Sequence, residues 1–343
     1  MIRLRLLLLV GSLGALLTGS SLACVAPGPE AEALTTPSRS ADALRLLERA
    51  ADVARTRAWS GTQSVVSTRG GLPTYTLVRV RHTPGAGSSV EEMATKGAST
   101  APDLLDKSLF DLLVSHYDLT VAGPTLCAGR AAVLVLAHRP GRTGVGAVAG
   151  RFWVDDATRM VMRRDVLDDS GSVVLSSLYE DLRFTAAQGL VQAAATAPSG
   201  TVLDDAALVA LTDRGWPIVD HLPSDMELFE ARQHDDGVVQ LAYSDGLSTL
   251  SLFVQEGSLP EDTDGTLREV GGALVHVTPG TPEQLVWSGG GRTWTLVSDA
   301  PDTAIEQAVL VLPHADPVED HEGVPERVWR GMSRVGAWLN PFD

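Results

Sequence analysis

Cys24 stands where a cysteine could carry a covalent lipid anchor. It follows two arginines, an apolar stretch from Leu6 to Leu17 and the small-residue end Ser21-Leu22-Ala23. This order is typical of an export signal, and the apolar stretch is too short to span a bilayer as a stable helix. The sequence therefore predicts a signal peptide over residues 1–23 and a diacylglycerol anchor on Cys24. The mature protein is expected at the outer face of the cytoplasmic membrane or in a periplasm-like space.

Other outcomes at Cys24 stay open. Ser21-Leu22-Ala23 also fits ordinary signal-peptide cleavage, and Ser21 stands where a lipoprotein signal usually has leucine. If Cys24 keeps a free thiol, a disulfide with Cys127 can form in an oxidising compartment. If Cys24 is lipidated, Cys127 is expected to be a small core residue on an apolar strand.

Two acidic pairs, Asp155-Asp156 and Asp168-Asp169, could serve as the paired carboxylates of a glycoside hydrolase. Both pairs lie at predicted hairpin ends, where aspartate is expected for turn formation alone. The sequence has no G-x-S-x-G, H-E-x-x-H, Walker or C-x-x-C motif. We therefore expect a protein that is not an enzyme and that needs no cofactor and no metal.

The overall charge is acidic: 43 acidic against 27 basic residues give a net charge of −16. A phosphate-binding surface would need a basic stripe, so nucleic acid is not expected as a partner. The length of 343 residues is enough for about two domains.

Hydrophobic periodicity predicts an α+β protein. Residues 43–54 and 103–116 show helical stripes, and the chain from Asp118 to Phe184 reads as an antiparallel meander with compact turns. Many strands with two helices favour one large curved antiparallel sheet covered by helices. A second run of strands from Glu227 to Ser298 lies between short helices at 204–213 and 301–312, which predicts a smaller antiparallel α+β domain at the C-terminal end.

Composition divides the mature chain into five segments. A polar tether over 24–37 precedes a first domain over 38–185. Residues 186–202 have linker composition, and 203–313 form the second domain. The tail 314–343 contains an apolar helical stripe, which predicts an amphipathic helix over 324–339. Its basic side could contact anionic lipid or an acidic partner, and its apolar side could instead dock on its own domain.

Candidate binding residues lie on the strand of Phe152, Trp153 and Val154. Phe152 and Trp153 are adjacent, so their side chains point to opposite faces of the sheet, one concave and one outer. Either side chain could contact a lipid, although simple core packing explains both equally well. The binding interpretation adds Tyr243 and Asp245 of the second domain to this set.

Three stretches carry a family resemblance. They are the strand start Trp59-Ser60-Gly61-Thr62-Gln63, the hairpin from Arg151 to Arg164, and the second-domain group Trp216-Pro217, His221-Leu222-Pro223 and Tyr243-Ser244-Asp245-Gly246-Leu247. The hairpin is similar to the pattern R-x-W-x-D-x-x-T-G-x-x-x-R, with Arg159 in place of its glycine. In this order the stretches resemble the MucB/RseB family of sigma-factor regulators.

The resemblance implies a first domain similar to LolA/LolB, a half-open antiparallel barrel whose helices cover an apolar cavity. It also implies a partner, the extracytoplasmic domain of a transmembrane anti-sigma factor. A lipid or amphiphile would release the regulator from this partner in an envelope-stress response. A LolA-like carrier of lipids or lipoproteins is the alternative. A simple carrier needs only the half-barrel, so the second domain favours the regulator.

Overall fold

A computed structural model of the protein describes residues 24, 37–68, 73–85, 87–95, 107–141, 144–185, 200–259, 263–278 and 283–314. It confirms the predicted α+β class, with two antiparallel sheets that do not close into barrels and four described helices. None of the helices in these ranges is long and apolar enough to cross a membrane.

The first domain consists of two helices and an eight-stranded sheet. Its elements are α1 (Pro37–Thr56), β1 (Trp59–Ser67), β2 (Thr74–Thr83), β3 (Gly87–Thr95), α2 (Lys107–His116), β4 (Asp118–Cys127), β5 (Arg130–Gly141), β6 (Gly144–Asp155), β7 (Val161–Leu167) and β8 (Val173–Phe184). The strand order is β3-β2-β1-β8-β7-β6-β5-β4, so the chain passes from one edge of the sheet to the other between β3 and β4.

Helices α1 and α2 cover one face of this sheet, here called the helix-side face. The buried α1 residues Ala43, Leu47 and Ala50 recur at helical spacing and pack, together with Leu113 of α2, in one apolar cluster with Val135 of β5. The opposite face carries a separate apolar cluster. Neighbouring residues on a strand therefore enter different cores.

The turn between β6 and β7 shows the structural role of the D-x-x-T pattern formed by Asp155 and Thr158. Asp155 accepts hydrogen bonds from the backbone N–H of Thr158 at 2.7 Å and from its hydroxyl at 2.6 Å, and Arg130 donates two more. Arg159 follows with φ +66°, in the left-handed region that favours glycine. Glycine would adopt this conformation at position 159 without strain, whereas arginine adopts it at a conformational cost.

The second domain contains nine strands and two helices. Its elements are β9 (Thr201–Val202), α3 (Asp205–Asp213), β10 (His221–Leu222), β11 (Met226–Gln233), β12 (Val239–Ser244), β13 (Thr249–Glu256), β14 (Thr266–Val270), β15 (Ala273–Thr278), β16 (Glu283–Gly289), β17 (Arg292–Ser298) and α4 (Asp302–Val311). The strand order is β10-β11-β12-β13-β17-β16-β15-β14, and β9 pairs with β11.

One face of the second sheet, the inner face, forms the core of this domain with α3 and α4. Leu241, Leu252, Leu296 and Leu285 lie opposite one another across β12, β13, β17 and β16. The rings of Trp287 and Trp294 stack at 6.1 Å beside this row. Every second residue of these strands is apolar and points to this core, which is the alternation by which the sequence predicts strands here.

Four strands differ from the sequence-based expectation. β3, β9, β10 and β14 were not predicted, and β9 and β10 are only two residues long. β14 is exposed along most of its length, so it lacks the apolar alternation by which strands are recognised. β9 occupies 201–202, at the C-terminal end of the predicted linker; residues 186–199 and the tail helix lie outside the described residues.

Candidate functional site

The three candidate residues of β6 lie on both faces of the first sheet. Phe152 and Val154 are buried in the helix-side cluster, whereas Trp153 is buried in the opposite cluster beside Met162. The guanidinium of Arg163 lies 4.9 Å from the ring centre of Trp153. The prediction of opposite faces is therefore confirmed, and in this structure all three side chains are core residues.

The two candidates of the second domain have different roles. The Tyr243 hydroxyl donates to the carbonyl of Val219 at 2.9 Å, within the second domain, and burial raises the pKa of Tyr243. Asp245 instead reaches the first domain, because one of its oxygens accepts a hydrogen bond from the Tyr117 hydroxyl at 2.6 Å. The site between the domains is therefore built around Asp245.

Residues 245–248, here called the clasp loop, connect β12 to β13. The second Asp245 oxygen accepts from the backbone N–H groups of Leu247 and Ser248 at 2.8 and 2.6 Å and from the Ser248 hydroxyl at 3.1 Å. The Ser244 hydroxyl donates to the Ser248 carbonyl at 2.7 Å. These hydrogen bonds lie within residues 244–248, so they stabilise the loop conformation independently of the first domain.

Gly246 and Leu247 form the apolar part of the contact. Gly246 has φ +85°, and a Cβ at this position would lie 1.9 Å from the backbone nitrogen of Leu113 in α2. Leu247 is 1% exposed and belongs to the helix-side cluster of the first domain. A Cβ on Gly150 of β6 would lie 2.5 Å from the Leu247 side chain. Gly246 is thus required for this close approach to the α2 backbone, whereas Gly150 leaves room for the Leu247 side chain.

Arg164 of β7 is the polar centre of the contact. One terminal nitrogen donates to the Leu247 carbonyl at 2.7 Å, and the other donates to the Asp299 carboxylate at 2.7 Å. Arg164 is 3% exposed and Asp299 is 5% exposed. The remaining Asp299 oxygen accepts from the backbone N–H and hydroxyl of Thr249. A buried arginine of the first domain is therefore neutralised by a carboxylate of the second.

The contacts between the clasp loop and the first domain, here called the clasp, are buried, and burial shifts the pKa values of two of their ionisable groups, Asp245 and Tyr117. Burial raises the pKa of Asp245, although the hydrogen bonds from Tyr117, Ser248 and Leu247 act in the opposite direction. Burial and the neighbouring Asp245 carboxyl raise the pKa of Tyr117, so this hydroxyl stays protonated and donates. At the rim, the Nε2 atom of His116 lies 3.0 Å from a Glu227 oxygen, a distance suited to an ion pair but without hydrogen-bond geometry.

The sequence did not identify Tyr117, Arg164 and Asp299 as site residues. Only Arg164 has a usable signal: the adjacent Arg163 and Arg164 on one strand must point to opposite faces, so one of them enters a covered face and needs a partner there. Asp299 and Tyr117 are ordinary loop and helix-end residues in sequence. Their partners are 135 and 128 residues away along the chain.

The structure places Cys24 beside Cys127. Cys24 and Cys127 form a disulfide, with their Cα atoms 4.0 Å apart. This pairing is the alternative that the sequence left open. One sulfur cannot hold both a disulfide and a thioether to diacylglycerol, so the disulfide and the predicted anchor are mutually exclusive. The disulfide lies in the cluster of Trp153, on the face opposite α1 and α2.

In comparisons with known proteins, no family model and no curated protein matches the chain. Similar solved structures include a crystal structure of MucB, with 20% identity, a TM-score of 0.46, and coverage of 79% of this chain and 97% of that chain. The structure of the Pseudomonas aeruginosa MucA/MucB complex has 18% identity and a TM-score of 0.44, covering 80% of this chain and 100% of the other. A putative outer membrane lipoprotein-sorting protein domain from Vibrio parahaemolyticus has 11% identity and a TM-score of 0.23, covering 44% and 94%.

Proposed function

We propose that this protein is an extracytoplasmic regulator without catalytic activity. It binds the outer segment of a membrane-spanning anti-sigma factor, and a lipidic ligand changes that binding in an envelope-stress response. One observation supports this most: two stretches of the family resemblance, far apart in sequence, are in contact. Arg164 at the end of the hairpin stretch donates to the carbonyl of Leu247 in the second-domain stretch, 83 residues away.

The clasp gives this regulator a way to respond to a ligand. A single side chain of the second domain, Leu247, enters the helix-side cluster beside Phe152. An alkyl chain in this cluster would compete with Leu247 for the same apolar surface, and each buried methylene contributes about 0.8 kcal/mol. A ligand shifts the domain arrangement by its difference in affinity for the clasped and released states. Partner binding that depends on this arrangement would then change with the ligand.

The disulfide supports an oxidising compartment, in agreement with the predicted signal peptide. We propose that the exported protein carries the disulfide and is not anchored through Cys24. Mass spectrometry of protein purified from its native envelope should show residues around Cys24 linked to Cys127. A diacylglycerol group on Cys24 would contradict this proposal and restore the anchor predicted from the sequence.

A LolA-like carrier is the alternative proposal, and the apolar helix-side face beneath α1 and α2 favours it. A carrier of this type needs no second domain, whereas here Leu247 of the second domain completes the first-domain core. We therefore prefer the regulator.

The test is a titration of the labelled extracytoplasmic anti-sigma segment with the full mature chain, with and without a lysophospholipid below its micelle concentration. We expect binding that the lipid weakens, and a smaller lipid effect in Leu247→Ala because its domains are already loosened. Leu267→Ala is the matched control, since Leu267 is an exposed leucine of the same domain. No binding at concentrations of about 10 µM would favour the carrier.

A further inference from the structure

The face of the second sheet opposite α3 and α4, here called the outer face, is buried. Gln240, Phe253, Thr295 and Val286 lie opposite one another across β12, β13, β17 and β16. Each of these four side chains is less than a tenth exposed. An antiparallel sheet with one face on its core commonly exposes the other face to water. Something other than the domain core must therefore cover this row.

The described helices are engaged elsewhere. Buried residues of α3 and α4 belong to the inner-face core, whereas Ala43, Leu47, Ala50 and Ala54 of α1 and Leu113 of α2 belong to first-domain clusters. The first domain meets the second at Asp245, Gly246, Leu247 and Asp299, near the ends of β12, β13 and β17. Phe253 lies four residues along β13 from Thr249, about 13 Å away. The clasp residues themselves therefore do not reach Phe253.

The outer face fits a segment that is apolar in its centre and brings a hydrogen-bond acceptor. Val238, Phe253 and Val297 form a small buried apolar cluster on this face. Beside it, the Gln240 amide oxygen lies 3.2 Å from His234 Nε2, while its amide nitrogen is buried and has no hydrogen-bond partner among the described residues. A buried donor without a partner is costly, so an acceptor on the covering segment would stabilise the contact.

The chain leaves the described domain close to this sheet. Trp287 of β16 donates to the carbonyl of Pro313 at 3.0 Å, and a Cβ on Gly289 would lie 2.1 Å from the same oxygen. Residues 315–343 follow. The first nine of them can span up to about 30 Å, which is enough to reach any part of the face. A helix over 324–339 would be about 24 Å long, close to the length of the eight-residue strand β13.

We propose that the C-terminal tail docks its apolar stripe on the outer face of the second sheet. The stripe consists of Val324, Val328, Met332, Val335 and Leu339. The arginines on the other side of this helix then face water, above an uncharged row of the sheet. The linker 186–199 has no such stripe, which is why the tail is the occupant that we choose. This inference is independent of the proposed function.

The first test measures the accessibility of a cysteine placed on the outer face of the full chain. Thr295→Cys is close in size, and the native cysteines are already paired. We expect slow reaction of Cys at 295 with a maleimide reagent, and a rate at least about tenfold higher when Val328→Asp is added, because a buried charge opposes docking. Ser333→Asp adds the same charge on the polar side of the predicted helix and should leave the rate unchanged.

The second test identifies the occupant directly. Under mild oxidation, Thr295→Cys combined with Val328→Cys should give an intramolecular disulfide, whereas Thr295→Cys with Ser333→Cys should not. Equal crosslinking in the two pairs, or none in either, would overturn the proposal. Protection of position 295 that persists in Val328→Asp would show that another segment covers the face and would overturn the proposal, and protection lost on dilution would assign the face to a second copy of the chain.

Discussion

The cores of the two domains are closed in different ways. The inner-face core of the second domain is made of second-domain residues alone, with the stacked Trp287 and Trp294 near its centre. The helix-side core of the first domain includes Leu247, a residue of the other domain. The second domain therefore completes its own core, whereas the first domain depends on a contact that a change of domain arrangement can remove.

This difference indicates where a signal can act. Two domains of one chain are expected to move relative to each other unless their interface is large and hydrophobic. Leu247 shares a cluster with Ala149 and Phe152 of the first domain, so withdrawing it would change the packing there, whereas the second-domain core contains no first-domain residue. We therefore expect the clasp loop to couple the domain arrangement to the apolar interior of the first domain. The predictions below test this asymmetry.

The largest effect is expected from Arg164→Met, which leaves the buried Asp299 carboxylate without its cation. Removing one partner of a buried ion pair typically costs about 3–5 kcal/mol. The midpoint of denaturant unfolding of the full chain should fall accordingly. As a control, Asp156→Asn removes an exposed ion pair with Arg159 and should change the free energy of unfolding by less than about 0.5 kcal/mol. Similar losses of unfolding free energy in both variants would show that the buried ion pair stabilises the protein no more than an exposed one.

Gly246→Ala should open the clasp while both domains stay folded. Its Cβ would collide with the α2 backbone at Leu113, which cannot move aside as a side chain can. We expect a loss of about 2–3 kcal/mol, roughly 1 kcal/mol of it from the positive φ, and an increase in the radius of gyration. Gly237→Ala has a similar φ of +87° with nothing within 4 Å, so it measures the backbone cost alone. Two equal losses would mean that the loop does not rest on α2.

Tyr117→Phe tests the clasp through its pH dependence. Losing a hydrogen bond to a buried carboxyl should cost about 1.5 kcal/mol at neutral pH. Burial raises the folded-state pKa of Asp245 above its unfolded value, so its stabilisation is complete below the unfolded pKa and is lost as pH rises through the folded pKa. Tyr117→Phe removes a bond that lowers this pKa, so the loss should move to higher pH.

Asp155 in the hairpin has a pKa that is shifted in the opposite direction from that of Asp245, so its effect on the pH dependence of stability should also be opposite. Burial alone would raise its pKa, but hydrogen bonds from Arg130 and Thr158 outweigh burial and lower it. Its contribution is therefore present above the unfolded pKa and is lost on acidification. Unfolding midpoints measured over a pH series should lose the acid-side decline in Asp155→Asn and the decline at higher pH in Asp245→Asn. The same profile in both variants would contradict this contrast.

The smallest effect is a gain. Arg159→Gly should stabilise the β6–β7 hairpin by about 1 kcal/mol, because position 159 has φ +66° and glycine adopts this conformation without a steric cost. The gain should appear in the first-domain unfolding transition and leave the domain arrangement, measured by the radius of gyration, unchanged. A loss of stability would mean that the exposed contact with Asp156 outweighs the backbone cost.

Most of the regular elements could be predicted from local patterns. The strands that carry the cores alternate regularly, and α3 begins at Asp205, capped by the predicted first residue Asp204, whose carboxylate accepts from the N–H of Ala207. The exposed strand β14 and the short strands β9 and β10 could not be predicted, since hydrogen bonds to a neighbouring strand define them and their own side chains show no pattern.

By itself, the sequence determined the α+β class, the two faces of the Phe152–Val154 strand and the turn at Asp155, because periodicity and turn chemistry act over a few residues. It also contained both outcomes for Cys24. Only the tertiary structure placed Cys127 beside Cys24, and only it joined Asp245 to Tyr117 and Arg164 to Asp299. These contacts connect residues more than 100 positions apart. Such pairings depend on how two domains pack, which no local pattern specifies.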